Sequence, residues 1–400
     1  MILLVTGGAG FIGSNFIRHR LETTDDKIIV LDSLTYAGVL DNLKEYLNDS
    51  NLLIPNYQND LKRVEKVVSN DGIIYRSVSD EIESERLHSK LKDFSPRYIN
   101  NKELSTEINK VLGSGKLVFV VGNVMDEPLD EKLMNLCDMV VHFAAESHVD
   151  RSIFNADVFV RTDVYGTYSL LEAARKSKNL KKFIHISTDE VYGRAFEKSF
   201  KESDPLNPRN PYSASKAAAD RMAYAYYQTY EVPVVIVRPS NNFGPNQYPE
   251  KLIPVVTLKA LNNESIPVYG DGKQRRDWLY VEDTAKAIDL LIEKGEIGQA
   301  YNVAGRNERE NMLIVEKILE ITGKSKDLIK HVKDRPGHDL RYLIDDTKIR
   351  ELGFKQEKTF DELFYYTVRW YIQNQSWWEK ILKKDEEYKK FMKKWYEERK

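Results

Sequence analysis

Two short stretches of the chain carry the side chains that proton transfer to and from a substrate needs. Residues 187–193 read STDEVYG, and residues 212–216 read YSASK. Tyr212 and Lys216 are four residues apart in a helix-forming run, so they lie on one face of a helix. The two stretches together supply a hydroxyl, two adjacent carboxylates, a phenol and an ammonium within one short part of the chain. We predict that the catalytic residues are Thr188, Asp189, Glu190, Tyr212 and Lys216.

The Tyr-x-x-x-Lys spacing supplies a base for removing a proton from a hydroxyl. A phenol has an ordinary pKa of about 10, which is too high for a base at neutral pH. A nearby ammonium or a cationic cofactor ring favours the phenolate and lowers that pKa. We therefore expect Lys216 and the cationic cofactor ring together to lower the pKa of Tyr212, with Thr188 holding the oxygen of the substrate hydroxyl.

The acid pair Asp189 and Glu190 goes beyond what an oxidation requires. Two carboxylates at one site repel each other, so one tends to keep a proton while the other stays ionised. Once a hydroxyl has been oxidised to a ketone, the neighbouring C–H is acidic. A carboxylate can remove that proton, and a carboxylic acid can protonate a hydroxyl one carbon further on, which leaves as water. The alternative is that the pair only caps a helix or turn.

A glycine motif near the start of the chain indicates a nucleotide cofactor. An apolar run of strand length, residues 2–5, precedes Gly7, Gly10 and Gly13, and a helical pattern follows at 14–22. Glycines in this context let the backbone approach a pyrophosphate, whose charge then lies at the helix N-terminus. An ordinary tight turn is the alternative.

The second predicted strand, residues 27–31, ends in Asp32, 19 residues beyond Gly13. A carboxylate there accepts hydrogen bonds from the adenosine ribose hydroxyls and repels a 2′-phosphate. Ser33 and Leu34 offer no cation that would offset this repulsion. The sequence therefore predicts NAD as the cofactor rather than NADP.

Predicted strands alternate with predicted helices along the chain, which is typical of a parallel sheet. The further strands are expected at residues 116–121, 138–143, 182–186 and 234–237. The predicted fold class is α/β, a Rossmann doubly wound parallel sheet with a smaller C-terminal substrate-binding α/β domain. The expected domains are residues 1–240, which bind NAD, and residues 241–375, which mainly bind the substrate, followed by a charged helical tail at 376–400.

Two charged segments carry no motif. We interpret residues 55–115 as an insertion that forms a solvated accessory subdomain, with a substrate lid or a partner surface as alternatives. Helical spacing of apolar residues predicts helices at 61–68 and 104–112 within it. The tail at 377–400 has interleaved aromatics, but its acids nearly balance its bases, so a solvated amphipathic helix is favoured over a nucleic-acid-binding segment.

Composition narrows the function classes. The formal net charge of the 400 residues is -2, which gives no general attraction to nucleic acid or membrane. There is no apolar run of about 18 residues and no signal-peptide core, so we expect a cytoplasmic protein without a membrane span. The lone Cys137 excludes an intrachain disulfide and suggests a buried thiol. No histidine or cysteine spacing fits a metal site, so none is predicted.

With these residues the chain resembles the extended short-chain dehydrogenase/reductases and, within them, the family of dTDP-glucose 4,6-dehydratases. The similarity covers residues 1–54 and about 116–375. The acid pair in STDEVYG distinguishes this family from related epimerases and decarboxylases that share Tyr-x-x-x-Lys. The motifs that carry the resemblance are TGGAGFIGS, FAAESHVDRSI, STDEVYG, YSASK, SNNFGPNQYPEKLIP, RRDWLYVEDTAKA, YNVAGRNEREN and DRPGHD.

The resemblance implies a cycle on one sugar ring. Tyr212 deprotonates the C4 hydroxyl while NAD takes the C4 hydride. Glu190 then removes the C5 proton and Asp189 protonates the departing C6 hydroxyl. The hydride returns to C6, so NAD is regenerated and stays bound. The substrate is thus a nucleotide sugar, and Thr188 contacts the sugar.

The resemblance also implies the binding residues. Arg276 falls at the diphosphate, where a guanidinium can pair with phosphate oxygens. At cofactor positions lie Gly7, Gly10, Phe11, Ile12, Gly13, Asp32, Thr35, Asn123, Val124, Ala144, Ala145, Thr162, Tyr212, Lys216 and Asn242. At sugar-nucleotide positions lie Ser147, Thr188, Asn241, Lys251, Leu252, Pro267, Val268, Tyr269, Arg276, Asn311, Asp334 and His338.

Three features depart from the family pattern. Asn123 stands where the family usually has Asp, and Asp163 stands where Asn is usual; both bear on cofactor affinity. The block at 55–115 is absent from the pattern. Because the family pairs through helices matching residues 157–178 and 212–230, we expect a homodimer.

Two alternative functions stay open. One is a related dehydratase, epimerase or decarboxylase that acts on a UDP-sugar. The other is a non-catalytic NAD-binding module, although such a protein has no physical need for the complete set of five catalytic residues.

Overall fold

The computed structural model describes residues 1–48, 50–56, 64–69, 72–77, 87 and 89–384. Within them, sixteen strands belong to four sheets. In chain order the strands are Ile2–Thr6 (β1), Lys27–Asp32 (β2), Leu52–Asn56 (β3), Val64–Ser69 (β4), Gly72–Ser77 (β5), Arg97–Asn100 (β6), Leu117–Val121 (β7), Met139–His142 (β8), Lys182–Ile186 (β9), Val234–Pro239 (β10), Asn241–Phe243 (β11), Ile266–Tyr269 (β12), Arg275–Tyr280 (β13), Ala300–Val303 (β14), Glu308–Glu310 (β15) and Ile329–Val332 (β16).

Helices accompany these strands in the described part of the chain. The α-helices, in chain order, are Phe11–Thr23 (α1), Leu104–Ser114 (α2), Glu127–Met134 (α3), Val149–Phe154 (α4), Ala156–Phe159 (α5), Gly166–Lys176 (α6), Pro211–Tyr230 (α7), Leu252–Leu261 (α8), Val281–Lys294 (α9), Asn311–Thr322 (α10), Thr347–Glu351 (α11), Phe360–Gln373 (α12) and Gln375–Lys384 (α13).

The large sheet is parallel and has the order β14-β10-β9-β8-β1-β2-β7-β3-β6. Its central strands are apolar along their whole length, as β7 with the sequence LVFVV shows, because helices cover both faces. On one face α1 and α9 contribute Phe16, Ile17 and Ile288 to the core. On the other face α3, α6 and α7 contribute Leu129, Leu170 and their neighbours. The predicted doubly wound sheet is confirmed.

The order of winding reverses at β1, which lies between β2 and β8. In open α/β sheets the ligand crevice lies at such a point, outside the carboxyl ends of the strands. The glycine loop after β1 and the alanines after β8 therefore face each other across this crevice.

The chain beyond residue 240 builds the smaller part of the fold. Strands β11, β13 and β15 form one sheet, β12 and β16 another, and helices α8, α10 and α12 pack around them with Phe243 and Phe364 in a shared core. However, α9 packs against α1, and β14 pairs with β10. The chain thus returns to the large sheet after residue 240, so some elements beyond that residue belong to the sheet expected for NAD binding.

The described parts of the segment at 55–115 include elements that are joined directly to the large sheet. Strands β3 and β6 extend the large sheet beyond β7, and α2 buries Leu104 and Ile108 completely. The helix predicted at 104–112 is confirmed. The helix predicted at 61–68 is wrong in its described part, because Val64–Ser69 is strand β4 and pairs with β5. A short apolar run does not distinguish helix from strand; residues 61–63 lie outside the described residues.

Two more predicted helices need comment. The long helix expected at 157–178 consists of α5, a π-helical turn at Val160–Tyr165, and α6. Such turns occur frequently at functional sites. The tail forms α13 as far as residue 384, and residues 385–400 lie outside the described part. Among the described helices, none combines the length and apolar composition that a membrane crossing requires.

Candidate active site

The glycine loop between β1 and α1 is packed too tightly for side chains. Gly7 has φ 71°, and a Cβ placed on it would lie 2.6 Å from Ala144 N. A Cβ on Gly13 would lie 2.4 Å from Gly7 O. The cap residue Gly10 leaves the N-terminus of α1 without a side-chain cap. Backbone N–H groups are therefore available to a phosphate at this point.

Asp32, at the end of β2, is fixed beside this loop. Its Oδ2 accepts a hydrogen bond from Ala9 N at 2.9 Å, and its Oδ1 accepts one from Leu34 N at 2.8 Å. Burial raises the pKa of Asp32, and these two N–H groups oppose that shift. The carboxylate is thus held in one orientation at the edge of the crevice.

All fifteen residues predicted to bind the cofactor line a single cavity at the carboxyl ends of β1, β2, β8 and β9. The close backbone approach, the open helix N-terminus and the held carboxylate suit the pyrophosphate and ribose of a dinucleotide. Asn123, one of the departures from the family pattern, lines this cavity and accepts from Met125 N at 3.0 Å. The residues present therefore fit NAD.

Tyr212 and Lys216 line the same cavity from the first two turns of α7. Asn210 caps this helix by accepting from Ser213 N at 2.9 Å, and Pro211 occupies the first turn. Tyr212 is 9% exposed and Lys216 is 5% exposed. The Lys216 ammonium donates to Ile186 O at 2.7 Å, which ties α7 to the end of β9.

The surroundings of Tyr212 in the ligand-free protein oppose its ionisation. Burial and the charges of Glu190 and Asp163 raise the pKa of Tyr212 well above its ordinary value. Burial also lowers the pKa of Lys216. The lowering predicted from the sequence depends on the charge of bound NAD as well as on Lys216, so it stays a prediction.

The acid pair sits in a short 3-10 turn, Asp189–Tyr192, directly after β9. Thr188 caps this turn, accepting from Glu190 N at 3.3 Å and donating to Asp189 Oδ1 at 3.2 Å. The capping role considered for the pair thus belongs to Thr188. Asp189 Oδ2 is buried without a hydrogen-bond partner among the described residues. Burial and the Glu190 charge raise the pKa of Asp189 well above its usual range, which favours its protonated form.

Sequence reasoning missed Tyr342, a buried phenol that faces the acid pair. Its hydroxyl lies 3.1 Å from Glu190 Oε2 and 3.1 Å from Asp339 Oδ2. The Arg276 guanidinium stacks over its ring at 4.3 Å. Tyr342 follows the DRPGHD motif by three residues, and no spacing rule connects it with residues 188–190.

Glu250 was also missed, although it lies in the quoted motif SNNFGPNQYPEKLIP. Its Oε1 accepts from Tyr36 at 2.9 Å and its Oε2 from Arg151 at 2.9 Å. It lines the cofactor cavity and a second cavity beside it. Glu250 therefore joins the loop after β2 to the substrate side of the crevice.

The second cavity lies on the C-terminal side and shares Glu190, Asn241 and Lys251 with the first. Of the predicted sugar-nucleotide residues, Ser147 and Thr188 line the first cavity. Asp334 lines neither cavity, and its carboxylate is bonded to His338 at 2.5 Å. The remaining nine line the second cavity: Asn241, Lys251, Leu252, Pro267, Val268, Tyr269, Arg276, Asn311 and His338. Among the described residues, no group of three acidic, histidine or cysteine side chains could hold a metal ion.

The parallel sheet, the glycine loop after β1 and the Tyr-x-x-x-Lys pair on α7 together define an extended short-chain dehydrogenase/reductase. Comparison with family models agrees. Residues 3–80 match the NAD dependent epimerase/dehydratase family, and residues 85–367 match the model described as GDP-mannose 4,6 dehydratase. The chain belongs to the family of NAD-dependent nucleotide-sugar 4,6-dehydratases. The enzymes of this family are hydro-lyases.

Individual relatives are similar over almost their whole length. The low-salt glycan biosynthesis protein Agl12 of Haloferax volcanii is 42% identical over 93% of this chain and 99% of its own. The dTDP-glucose 4,6-dehydratase of Escherichia coli is 37% identical over 96% of both chains. DesIV of Streptomyces venezuelae, a dTDP-glucose 4,6-dehydratase solved with NAD bound, superposes with a TM-score of 0.77 at 37% identity, covering 95% of this chain and 100% of that one. The predicted family and cofactor are confirmed.

Proposed function

We propose that this protein converts dTDP-glucose to dTDP-4-keto-6-deoxyglucose and water. The observation that supports this most is the position of the acid pair. Asp189 and Glu190 are buried in the cavity that the glycine loop and Tyr212 also line. A simple oxidation needs only the tyrosine and the cofactor, whereas elimination of water also needs an acid and a base.

In the first half of the cycle, Tyr212 takes the proton of the C4 hydroxyl and Thr188 holds its oxygen. Bound NAD supplies the acceptor for the C4 hydride, its later return to C6, and a positive charge that favours the phenolate. Lys216 fixes the start of α7 through its bond to Ile186 O. This division of roles agrees with the raised pKa of Tyr212 in the ligand-free protein, since the chain alone does not stabilise the phenolate.

In the second half, Glu190 removes the C5 proton and Asp189 protonates the C6 hydroxyl, which leaves as water. The raised pKa of Asp189 supports this assignment, because an acid must hold its proton near neutral pH. Tyr342, next to Glu190 Oε2, orients the base. Each proton transfer of this kind is worth about 10²–10⁴ in rate.

We propose that the nucleotide diphosphate binds in the second cavity, where three cationic side chains converge. Arg276 is 6% exposed, and Arg335 and Lys251 line the same space. Guanidinium groups pair bidentately with phosphate oxygens, so two arginines on one diphosphate provide both charge and orientation. The sugar would then lie toward Glu190, which lines both cavities.

The test is a comparison of three substrates with the purified protein and no added cofactor. dTDP-glucose, UDP-glucose and GDP-mannose are incubated separately, and the products are analysed by mass spectrometry. We expect loss of one water from dTDP-glucose at a kcat/KM well above the other two. Water loss mainly from GDP-mannose, which the description of the matched family model names, or from UDP-glucose would show that the proposed substrate is wrong. The proposed dehydration reaction would still stand. An unchanged mass with altered stereochemistry would mean an epimerase and overturn the proposal.

A further inference from the structure

Lys90, from the segment at 55–115 that the sequence analysis interprets as an insertion, contacts the loop that borders the cofactor cavity. Its ammonium donates to Tyr36 O at 2.9 Å and to Gly38 O at 2.9 Å. Lysine is rarely tied down in this way, since its charged head usually stays in water. Leu91, the next residue, is 6% exposed and belongs to the core under the large sheet. Lys90 is therefore held at its ammonium by the two carbonyls and at its backbone by the buried neighbour Leu91.

The loop that Lys90 holds is part of the cofactor cavity. Thr35, Ala37 and Gly38 all line it. A Cβ placed on Gly38 would lie 2.9 Å from Asp32 Oδ1, so the loop backbone rests directly against the carboxylate at the ribose position. Any outward movement of this loop would open the cavity on the Asp32 side.

A second element holds the same region from the other side. Lys380 of α13 pairs with Asp41 at 2.7 Å and lies 3.7 Å from Asp93. Trp377 donates from its indole to Asn42 Oδ1 at 2.9 Å. The stretch after β2 is thus enclosed between the inserted segment and the C-terminal helix.

The charge of Lys90 also acts on Asp32. Burial raises the pKa of this carboxyl, and the Leu34 and Ala9 N–H groups and the Lys90 ammonium act in the opposite direction. The Lys90 charge thus helps Asp32 to stay ionised, which is the form that accepts hydrogen bonds from two ribose hydroxyls.

We propose that Lys90 is a positioning residue for NAD: by holding the loop at residues 35–38 against Asp32, the inserted segment determines how tightly the cofactor is retained. The inference rests on the NAD dependence of the family and is independent of which nucleotide sugar is the substrate. It gives the segment at 55–115 a function at the active site in addition to its place at the edge of the sheet.

The test measures NAD binding directly, without a sugar nucleotide. The parent, Lys90→Met, Lys90→Arg and the control Lys92→Met, which changes an exposed lysine on the same turn, are stripped of NAD and titrated with it by calorimetry. Removing two charge-assisted bonds should weaken NAD binding of Lys90→Met about tenfold and speed its dissociation. Lys90→Arg, which keeps the charge and donors, should recover most of the affinity.

Two further results decide whether the effect is specific. Each NAD-free protein is first shown by its melting temperature to be folded at the temperature of the titration, because Lys90→Met also removes two bonds that the NAD-free protein makes. An NAD dissociation constant for Lys90→Met equal to that of the parent would overturn the proposal. An equal loss in Lys92→Met would overturn it as well.

Discussion

Glu190 and Asp189 are adjacent in the chain but have different surroundings. Glu190 faces the Tyr342 hydroxyl at 3.1 Å, whereas one oxygen of Asp189 is buried without a hydrogen-bond partner in the described part of the chain. Burial and the neighbouring Glu190 charge favour the neutral form of Asp189. The two adjacent carboxyl groups therefore differ in their contacts, which suits the proposed roles of Glu190 as base and Asp189 as acid.

The Glu190→Gln variant separates oxidation from elimination. The amide cannot remove the C5 proton, so we expect water loss to slow by about 10²–10⁴ while C4 oxidation persists. Reduced cofactor should then accumulate on the enzyme and be visible in its absorbance after substrate is added. The matched variant Tyr342→Phe keeps the Glu190 base, so its rate of water loss should fall less than that of Glu190→Gln. Dehydration by Glu190→Gln at the parent rate would contradict the assignment.

Asp163 is a buried carboxyl within the π-helical turn. It accepts from Ser215 Oγ at 2.6 Å and from Glu146 N at 2.8 Å, and burial raises its pKa from 3.8 to about 6, against the effect of the Lys216 charge. Its native-state pKa lies above the ordinary value, so its contribution to stability is greatest below pH 4 and is lost as pH rises through about 6. At pH 8 the ionised Asp163 carboxylate therefore lowers the free energy of unfolding.

Asp163→Asn should remove this cost. The free energy of unfolding of the variant should exceed that of the parent by up to about 3 kcal/mol at pH 8, and the difference should shrink to nothing near pH 4. Asp157→Asn, an exposed change just before the π-helical turn, is the control. Denaturant titrations at several pH values measure the effect. A parent and variant with parallel pH profiles would show that Asp163 is not the titrating group.

The contrast between predicted and missed site residues has a physical reason. The glycines, Asp32, Tyr212 and Lys216 belong to local patterns whose spacing follows from one turn of backbone, so the sequence identifies them. Tyr342 and Lys90 act through contacts between segments far apart in the chain, and such contacts leave no spacing in the sequence. Burial, which raises the pKa of Tyr212 in the ligand-free protein, likewise depends on the whole fold.

At the scale of elements, the loop between β1 and α1 is the least tolerant of change. Its glycines allow β1, α1 and β8 to approach closely, and Gly7 lies in the left-handed region with φ 71°. The loop backbone contacts Ala144 directly, so a methyl group there would push β8 and α1 apart.

Gly7→Ala should therefore abolish NAD retention and cost about 1–3 kcal/mol of stability, because both the space and the backbone angle exclude a side chain. Gly113→Ala is the matched control: Gly113 lies in α2, where a Cβ would meet nothing within 4 Å. That change should stabilise the protein by up to about 1 kcal/mol. NAD content after gel filtration and the melting temperature report both effects. Retained NAD in Gly7→Ala would disprove the close-approach argument.

The elements themselves were predictable to different degrees. Strands buried on both faces appear in the sequence as unbroken apolar runs, and β1, β2, β7, β9 and β10 were found for that reason. Strand β6 was missed because only one of its four residues is buried, and β4 was taken for a helix. The π-helical turn at Val160–Tyr165 has the composition of an ordinary helix, so the sequence cannot reveal it.

At the scale of the whole molecule, two neighbouring helical regions expose apolar side chains. Val160, at the π-helical turn, is 55% exposed, and Tyr224 and Tyr230 on α7 are 38% and 49% exposed. These positions fall on the helices through which the resemblance implies pairing. We propose that a second copy of the chain covers them.

Sedimentation analysis tests the proposed dimer. We expect the parent to sediment as a dimer and Val160→Glu to shift toward the monomer, because a buried charge without a partner opposes association. Leu313→Glu, at a residue 50% exposed on α10, should leave the dimer intact. A monomeric parent would exclude the arrangement.

The central claim is that one active site removes water from a nucleotide sugar by an internal transfer of hydrogen. The most direct measurement uses dTDP-glucose labelled with deuterium at C4, incubated without added cofactor, and locates the label in the product by mass spectrometry and NMR. We predict a product lighter by one water that keeps the deuterium, now at C6. A product of unchanged mass, or one that has lost the label to solvent, would contradict the account.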